Sequence, residues 1–319
     1  MPLSGRIGND AVNTRAYLAL AGAGSLWGTG FLFGKIALTQ LDVPHMIMYR
    51  LSIAACGFAP IVLRRRLRIE RTHWPLVLVA AIAGVPLLFL IQFEGLARTT
   101  VSHASLMVGT APILLALCAS LFVGERVDGR RWVLLVASCT GALLILTGAP
   151  PGPDGHGPTI VGDLLVIASL FAAVVWVLTC KRLLALYPST VVSAVVTITG
   201  TIVLDVWVLA TTGAPPMRLS AYIWLALLAQ GLFATTTATL LWNWGVARVP
   251  AADAGVFVNL EPLLGAVLGV LVLGETLGWN GVAGGVLIVG AAFAMTRLRT
   301  NRTTFTDDGP QRHRATESY

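Results

Sequence analysis

Positions 95–125 of this chain return 150 positions later, at 245–275. The first copy reads GLARTTVSHASLMVGTAPILLALCASLFVGE and the second GVARVPAADAGVFVNLEPLLGAVLGVLVLGE. Eleven of the 31 ungapped positions are identical, among them Gly95/Gly245, Arg98/Arg248, Pro112/Pro262, Gly124/Gly274 and Glu125/Glu275. Shared apolar composition alone gives roughly three matches, and it does not also align an Arg, a Pro and a Gly-Glu pair. The chain is therefore expected to fold as two related halves.

What those halves are made of follows from the apolar runs. Residues are 56% hydrophobic and only 12% charged, against about 25% charged in soluble domains. Ten runs of about 20 residues succeed one another, near 17–38, 44–63, 74–94, 99–122, 131–149, 160–180, 189–211, 221–243, 251–273 and 279–297. A helix of that length spans about 30 Å, the thickness of a bilayer's hydrocarbon. A membrane barrel would need alternating polar positions, and these are absent. The fold class is all-α: a polytopic membrane protein of ten transmembrane helices in two five-helix repeats.

Residues 1–16 read as a polar N-terminal tail, and the run from Tyr17 to about Leu38 is too long for a signal-peptide core, so it reads as a retained span. The first repeat occupies 17–149 and the second 160–297. Between them lies the linker 150–159; the Pro/Gly-rich GAPPGPDGHGP at 148–158 cannot hold a helix and forms the joint. Residues 298–319 read as a disordered tail.

Orientation follows from the basic residues. With a cytoplasmic N-terminus, 18 of the 22 Lys and Arg fall in inside segments, and the outside loops hold only Arg98 and Arg218. That bias predicts both termini in the cytoplasm and placement in the cytoplasmic (inner) membrane. Five spans per half is an odd number, so the second half must enter the membrane in the opposite sense to the first. A repeat parallel in sequence becomes inverted in space, and in inverted repeats a substrate site lies near the midplane.

The same charge pattern excludes a nucleic-acid partner: the net charge of +7 is what cytoplasmic loops require. Cys56, Cys118, Cys139 and Cys180 are scattered through separate apolar runs with no metal-ligand spacing. No GxSxG, HExxH or Walker loop is present, so neither a cofactor nor ATP-driven transport is expected.

Several motifs lie in a telling order. Trp27-Gly28 sits in span 1 and Arg50 early in span 2; Pro112 to Gly124-Glu125 and Pro262 to Gly274-Glu275 end spans 4 and 9; and Leu260-Glu261-Pro262 marks the second copy. In this the chain resembles the drug/metabolite transporter superfamily, specifically its EamA-type ten-span permeases, over about residues 17–297. The resemblance implies export or exchange of small metabolites. It departs from the pattern where Phe171-Ala172 stands opposite Trp27-Gly28.

Polar groups inside spans are costly, so each is a candidate for function. Glu261, beside Pro262, is expected to face a central cavity and bind a substrate amine or carry a coupling proton. Its counterpart in the first repeat is Ala111, so the fold alone does not require a carboxylate there. Asn259 stands two positions earlier, about 200° round an ideal helix, so both face the cavity only if the turn before Pro262 is distorted. Trp27 and Trp176 could wall a site for a planar substrate, or simply pack. Gln92 and Gln230 could bind a polar substrate or bridge helices. Lys35, Arg50 and Asp205 lie at similar depth in spans 1, 2 and 7 and are expected to pair with one another, as gating or structural charges. Trp242 and Trp244 read as interfacial anchors, and Glu125 and Glu275 as helix-end hydrogen-bond partners.

Together these point to a secondary transporter working by alternating access, not an enzyme. Its partners are a small-molecule substrate and the lipid bilayer. Protons as coupling ion and a homodimer are compatible with the sequence. The rival is an integral-membrane enzyme acting on lipid or isoprenoid substrates, which would cluster its polar groups at one interface. A structural or sensory module would have no polar interior.

Overall fold

The computed structural model describes residues 4–64, 69–111, 113–114, 129–147, 158–246, 248 and 257–303. These form helices α1 (Ser4–Ala37), α2 (Val43–Arg64), α3 (Arg71–Ala97), α4 (Val101–Val108), α5 (Gly129–Thr147), α6 (Ile160–Leu184), α7 (Ser189–Thr211), α8 (Ala221–Gly245), α9 (Leu260–Leu273) and α10 (Trp279–Thr303). No strand occurs among the described residues. Six helices (α1, α2, α3, α6, α7 and α8) are long and apolar enough to cross a membrane. Pro112, Gly124, Glu125, the joint at 148–157 and residues 304–319 lie outside the described residues. Two expected boundaries move: residues 4–16 continue α1, and residues 298–303 are helical within α10 rather than tail.

The helices begin where the sequence offers caps. Thr100, Thr159 and Ser220 each accept a backbone N–H from the first turn of α4, α6 and α8, each such cap contributing about 1 kcal/mol. Large apolar side chains face outward along the spans; Leu225, Leu271, Val206 and Val286 are more than half exposed. An outward apolar surface is what a lipid solvent demands of a helical bundle.

Packing between the two parts of the chain is reciprocal. The first long helix, α1, lies on α8 and α9, and its counterpart α6 lies on α3 and α4; α2 meets α7, α4 meets α9 and α5 meets α10. The repeated Gly95 and Gly245 sit at the matching contacts. A side chain at Gly95 would come within 2.7 Å of the Gly162 carbonyl of α6, and one at Gly245 within 2.6 Å of Leu20 of α1. The repeat thus keeps glycine where helices approach closely.

Both third helices are also interrupted alike. α3 widens into a π turn at Ala83–Leu87, which contains Pro86, and α8 at Ala229–Thr237. Shifted by 150, the first falls within the second. Proline explains the first, since it lacks an N–H for the ladder. In α8 the widened turn is closed by threonines: Thr235 Oγ1 donates to the Gln230 carbonyl at 2.9 Å and Thr236 Oγ1 to that of Gly231 at 3.2 Å. π turns inside helices often mark functional sites.

Candidate functional site

Arg50 stands seven residues into α2, about 10 Å along its axis, and is only 5% exposed. Its Nε donates to Thr235 Oγ1 of α8 at 3.0 Å. The guanidinium carbon lies 4.3 Å from the centre of the Phe89 ring and 5.2 Å from that of Phe93, both on α3. Those ring faces attract a cation without neutralising it. The remaining guanidinium N–H groups find no hydrogen-bond partner among the described residues. The opposite charge acting on Arg50 is Glu261 of α9, and the reverse holds, yet the two make no contact ion pair.

Around this pair stand further polar groups with open valences. Gln230 is fully buried in the π turn of α8; its Nε2 donates to the Gly30 carbonyl at 3.0 Å, while its Oε1 has no partner. Gln92 on α3 is buried and makes no side-chain hydrogen bond among the described residues. Gly34 of α1 fits between Phe93 and Gln230, so α1, α3 and α8 meet at this level.

Asn259 lies at the start of α9. Residues 257–258 are helical, Asn259 is a turn, and α9 then runs from Leu260. Pro262 sits in its first turn, where a missing N–H costs the helix nothing. Asn259 caps nothing, and both of its side-chain polar atoms are buried and unpaired. The chain is thus irregular at Asn259, one residue before α9 begins. α1 presses on this break: a side chain at Gly28 would stand 2.9 Å from the Glu261 carbonyl oxygen.

The aromatic wall is assembled differently from expectation. Trp27 packs against Trp242 of α8, ring centres 5.2 Å apart, and Trp242 is half-buried there. Trp176 is not beside Trp27. Its indole lies over Gly84 in the π turn of α3, packed against a separate core that includes Val77, Leu183 and Val192. Trp244 is exposed, with the Arg248 guanidinium 4.2 Å above its ring.

The expected pairing of Lys35, Arg50 and Asp205 does not form. Asp205 Oδ2 accepts from Ser52 Oγ at 2.9 Å, leaving its Oδ1 unpaired. Lys35 Nζ donates to the carbonyls of Leu96 at 2.8 Å and Thr99 at 2.6 Å. Ser52 is two positions from Arg50 and so about 200° round α2. The two residues serve different neighbours.

Lys35 belongs instead to a polar corner where α1 ends and α4 begins. Asp163, in the first turn of α6, accepts from Thr99 Oγ1 at 2.5 Å and pairs with His103 Nδ1 at 2.9 Å; all three residues are buried. Glu275 accepts the first two N–H groups of α4, from Val101 and Ser102, each at 2.7 Å. Gly274 makes that reach feasible: it ends α9 at φ +68°, a left-handed turn suited to glycine, and the Glu275 N–H closes on the Gly269 carbonyl at 3.1 Å. The Gly-Glu pair of the second repeat is thus a helix stop followed by a cap on the other half's helix.

Asp163, Thr235, Phe89 and Phe93 are participants that the sequence did not single out. Asp163 had a signal, an acid in the first turn of an apolar run. Threonine and phenylalanine within spans had none, because such residues abound there.

A bundle of apolar helices with buried, unpaired polar groups at its centre defines the class: a multi-pass membrane protein built to bind a small molecule. The chain belongs to the EamA-like transporter family, which matches over residues 14–147 and 160–297. An "Uncharacterized transporter" of Archaeoglobus fulgidus is 26% identical over 287 residues, covering 89% of this chain and 98% of the relative. A "Probable terminal-alkyne amino-acid exporter" of Streptantibioticus cattleyicolor is 23% identical over 284 residues, covering 86% of this chain and 91% of the relative. One solved structure shares the fold with a TM-score of 0.63 at 21% identity, over 89% of this chain and 98% of that one. These relatives place the chain among transporters rather than enzymes, with a small-molecule substrate and a lipid bilayer as its surroundings.

Proposed function

We propose that this transporter exports or exchanges a small organic metabolite (an amino acid, amine or drug-like compound) across the cytoplasmic membrane by alternating access. In this reading ten spans form two inverted halves, 17–149 and 160–297, joined by a short linker, with both termini cytoplasmic. The substrate sits between the halves. Glu261, Asn259, Gln230 and Gln92 contact it, Trp27 with Trp242 lines one side, and Trp176 is left to packing. Protons are the coupling ion, carried at Glu261.

The observation that carries this reading is a set of polar groups left incomplete inside the bundle: Gln230 Oε1 and both side-chain polar atoms of Asn259, buried without a partner, and Arg50, which spends one donor on Thr235 and feels Glu261 as its opposite charge. Unpaired polar atoms in an apolar interior cost about 1–3 kcal/mol each, so their persistence together argues for a ligand that completes them. The reciprocal packing of α1 on α8 and α6 on α3 supports two related, inverted halves. The irregular turn at Asn259, just before α9, is of the kind found at midplane sites in carriers. The printed name of the Streptantibioticus relative supports an exported amino acid as one substrate class.

The test is uptake of labelled amino acids and amines into proteoliposomes, with and without an imposed pH gradient, for the wild type and Glu261→Gln. Saturable flux that follows the gradient and is uncoupled in the variant is expected. Gradient-independent flux that survives in Glu261→Gln would remove the proton and return Glu261 to a structural part.

A further inference from the structure

We propose that Arg50 is the receptor for a carboxylate on the transported molecule. The carrier thereby selects zwitterions, with their carboxylate on the free guanidinium donors and their ammonium toward Glu261. This rests on the transporter reading above and narrows it.

The chain supplies its own standard for a structural cation. Lys35, in the polar corner, spends two of its donors on the carbonyls of Leu96 and Thr99 at 2.8 and 2.6 Å. Arg50 is the more deeply buried of the two and is held far less completely. One donor goes to the neutral hydroxyl of Thr235, and two phenylalanine rings of α3 lie against the guanidinium. The rest of the planar fork, whose geometry matches a carboxylate, is unspent.

Charge balance then chooses among ligands. Arg50 and Glu261 are opposite charges that act on each other without forming an ion pair. An amine bound at Glu261 alone would set two cations against one carboxylate, and in an interior of low dielectric that is severely unfavourable. A lone carboxylate on Arg50 would do the same with the signs reversed. A zwitterion brings one charge of each sign and satisfies both residues at once. Gln230 Oε1, buried and unpaired, is a further acceptor suited to the ammonium. Arg50 thus moves from a gating charge to a specificity-determining residue.

The experiment uses the full chain in proteoliposomes. Each of the twenty proteinogenic amino acids is tested for uptake, and each one carried is challenged with its own amide, its decarboxylated amine and its N-acetyl derivative. At least tenfold weaker competition by all three derivatives is expected. Arg50→Lys, which keeps the charge and loses the fork, should raise the half-saturating concentration at least tenfold. Should Arg50 variants fail to fold, the derivative series on the wild type decides alone. Competition by the amide or amine within threefold of the parent would overturn the proposal, as would an Arg50→Gln carrier with unchanged half-saturation. Flux of amines or simple anions with no amino acid carried would overturn it while leaving a transporter in place. No flux of any of these classes would count against both readings.

Discussion

The bundle contains two polar regions built on opposite terms. In the corner around Asp163 the principal polar groups are paired: Asp163 with Thr99 and His103, Lys35 with two carbonyls, Glu275 with two amides. At the centre, Arg50, Gln92, Gln230, Asn259 and Glu261 keep donors or acceptors unused. Both regions join the same two parts of the chain and both hold charge away from water. What separates them is satisfaction. Saturated polar groups fix helices to each other, whereas unsatisfied ones raise the energy of the resting protein and are retained when a ligand completes them.

That contrast can be broken most forcefully at the corner. Asp163→Ala strips Thr99 and His103 of their shared acceptor in a buried site and should cost about 1–3 kcal/mol for each partner left unsatisfied, read as a fall in melting temperature and in folded yield. Gly28→Ala presses a methyl group onto the α9 backbone and should cost about 1–3 kcal/mol through overpacking. It should also slow transport, because α1 slides on α9 in the proposed cycle; a variant with unchanged flux would show that this contact stays rigid. Glu275→Gln keeps an acceptor for the α4 amides but loses its charge at a helix N-terminus, a loss of about 1 kcal/mol, measurable by thermal denaturation in detergent. The smallest effect is expected at Trp27→Phe, which keeps a ring against Trp242: about 0.5 kcal/mol, the low end for an aromatic pair. Its readout is a change in which amino acids are carried rather than in stability.

Much of the fold was legible in the sequence because its causes are local and repetitive. Apolar runs place the helices, and the glycines shared by the repeat mark where α3 and α8 meet the first helix of the opposite half. The Gly-Glu pair was legible as a helix end, though its target on α4 was not. Depth could be read along a span, but direction around it could not. Lys35, Arg50 and Asp205 do lie within spans, yet the 200° between Arg50 and Ser52 sends Arg50 to Thr235 and Asp205 to Ser52. The π turn of α8 hides similarly, since it is closed by threonine hydroxyls rather than by a proline. Asn259 and Glu261 compete for one face of an ideal helix, and the turn at Asn259 departs from that ideal just before α9.

The most direct test of the distinction between the two regions compares Arg50→Gln with Asp163→Asn. Melting temperature is measured in detergent, and counterflow is measured in proteoliposomes preloaded with an amino-acid mixture. Arg50→Gln should melt close to the wild type and lose at least nine-tenths of its flux. Asp163→Asn should melt lower and, for the fraction that folds, retain the wild-type half-saturating concentration. The reverse pattern, with Arg50→Gln unfolded and Asp163→Asn stable but unable to bind, would mean that the paired corner is the site and the unpaired centre is scaffold.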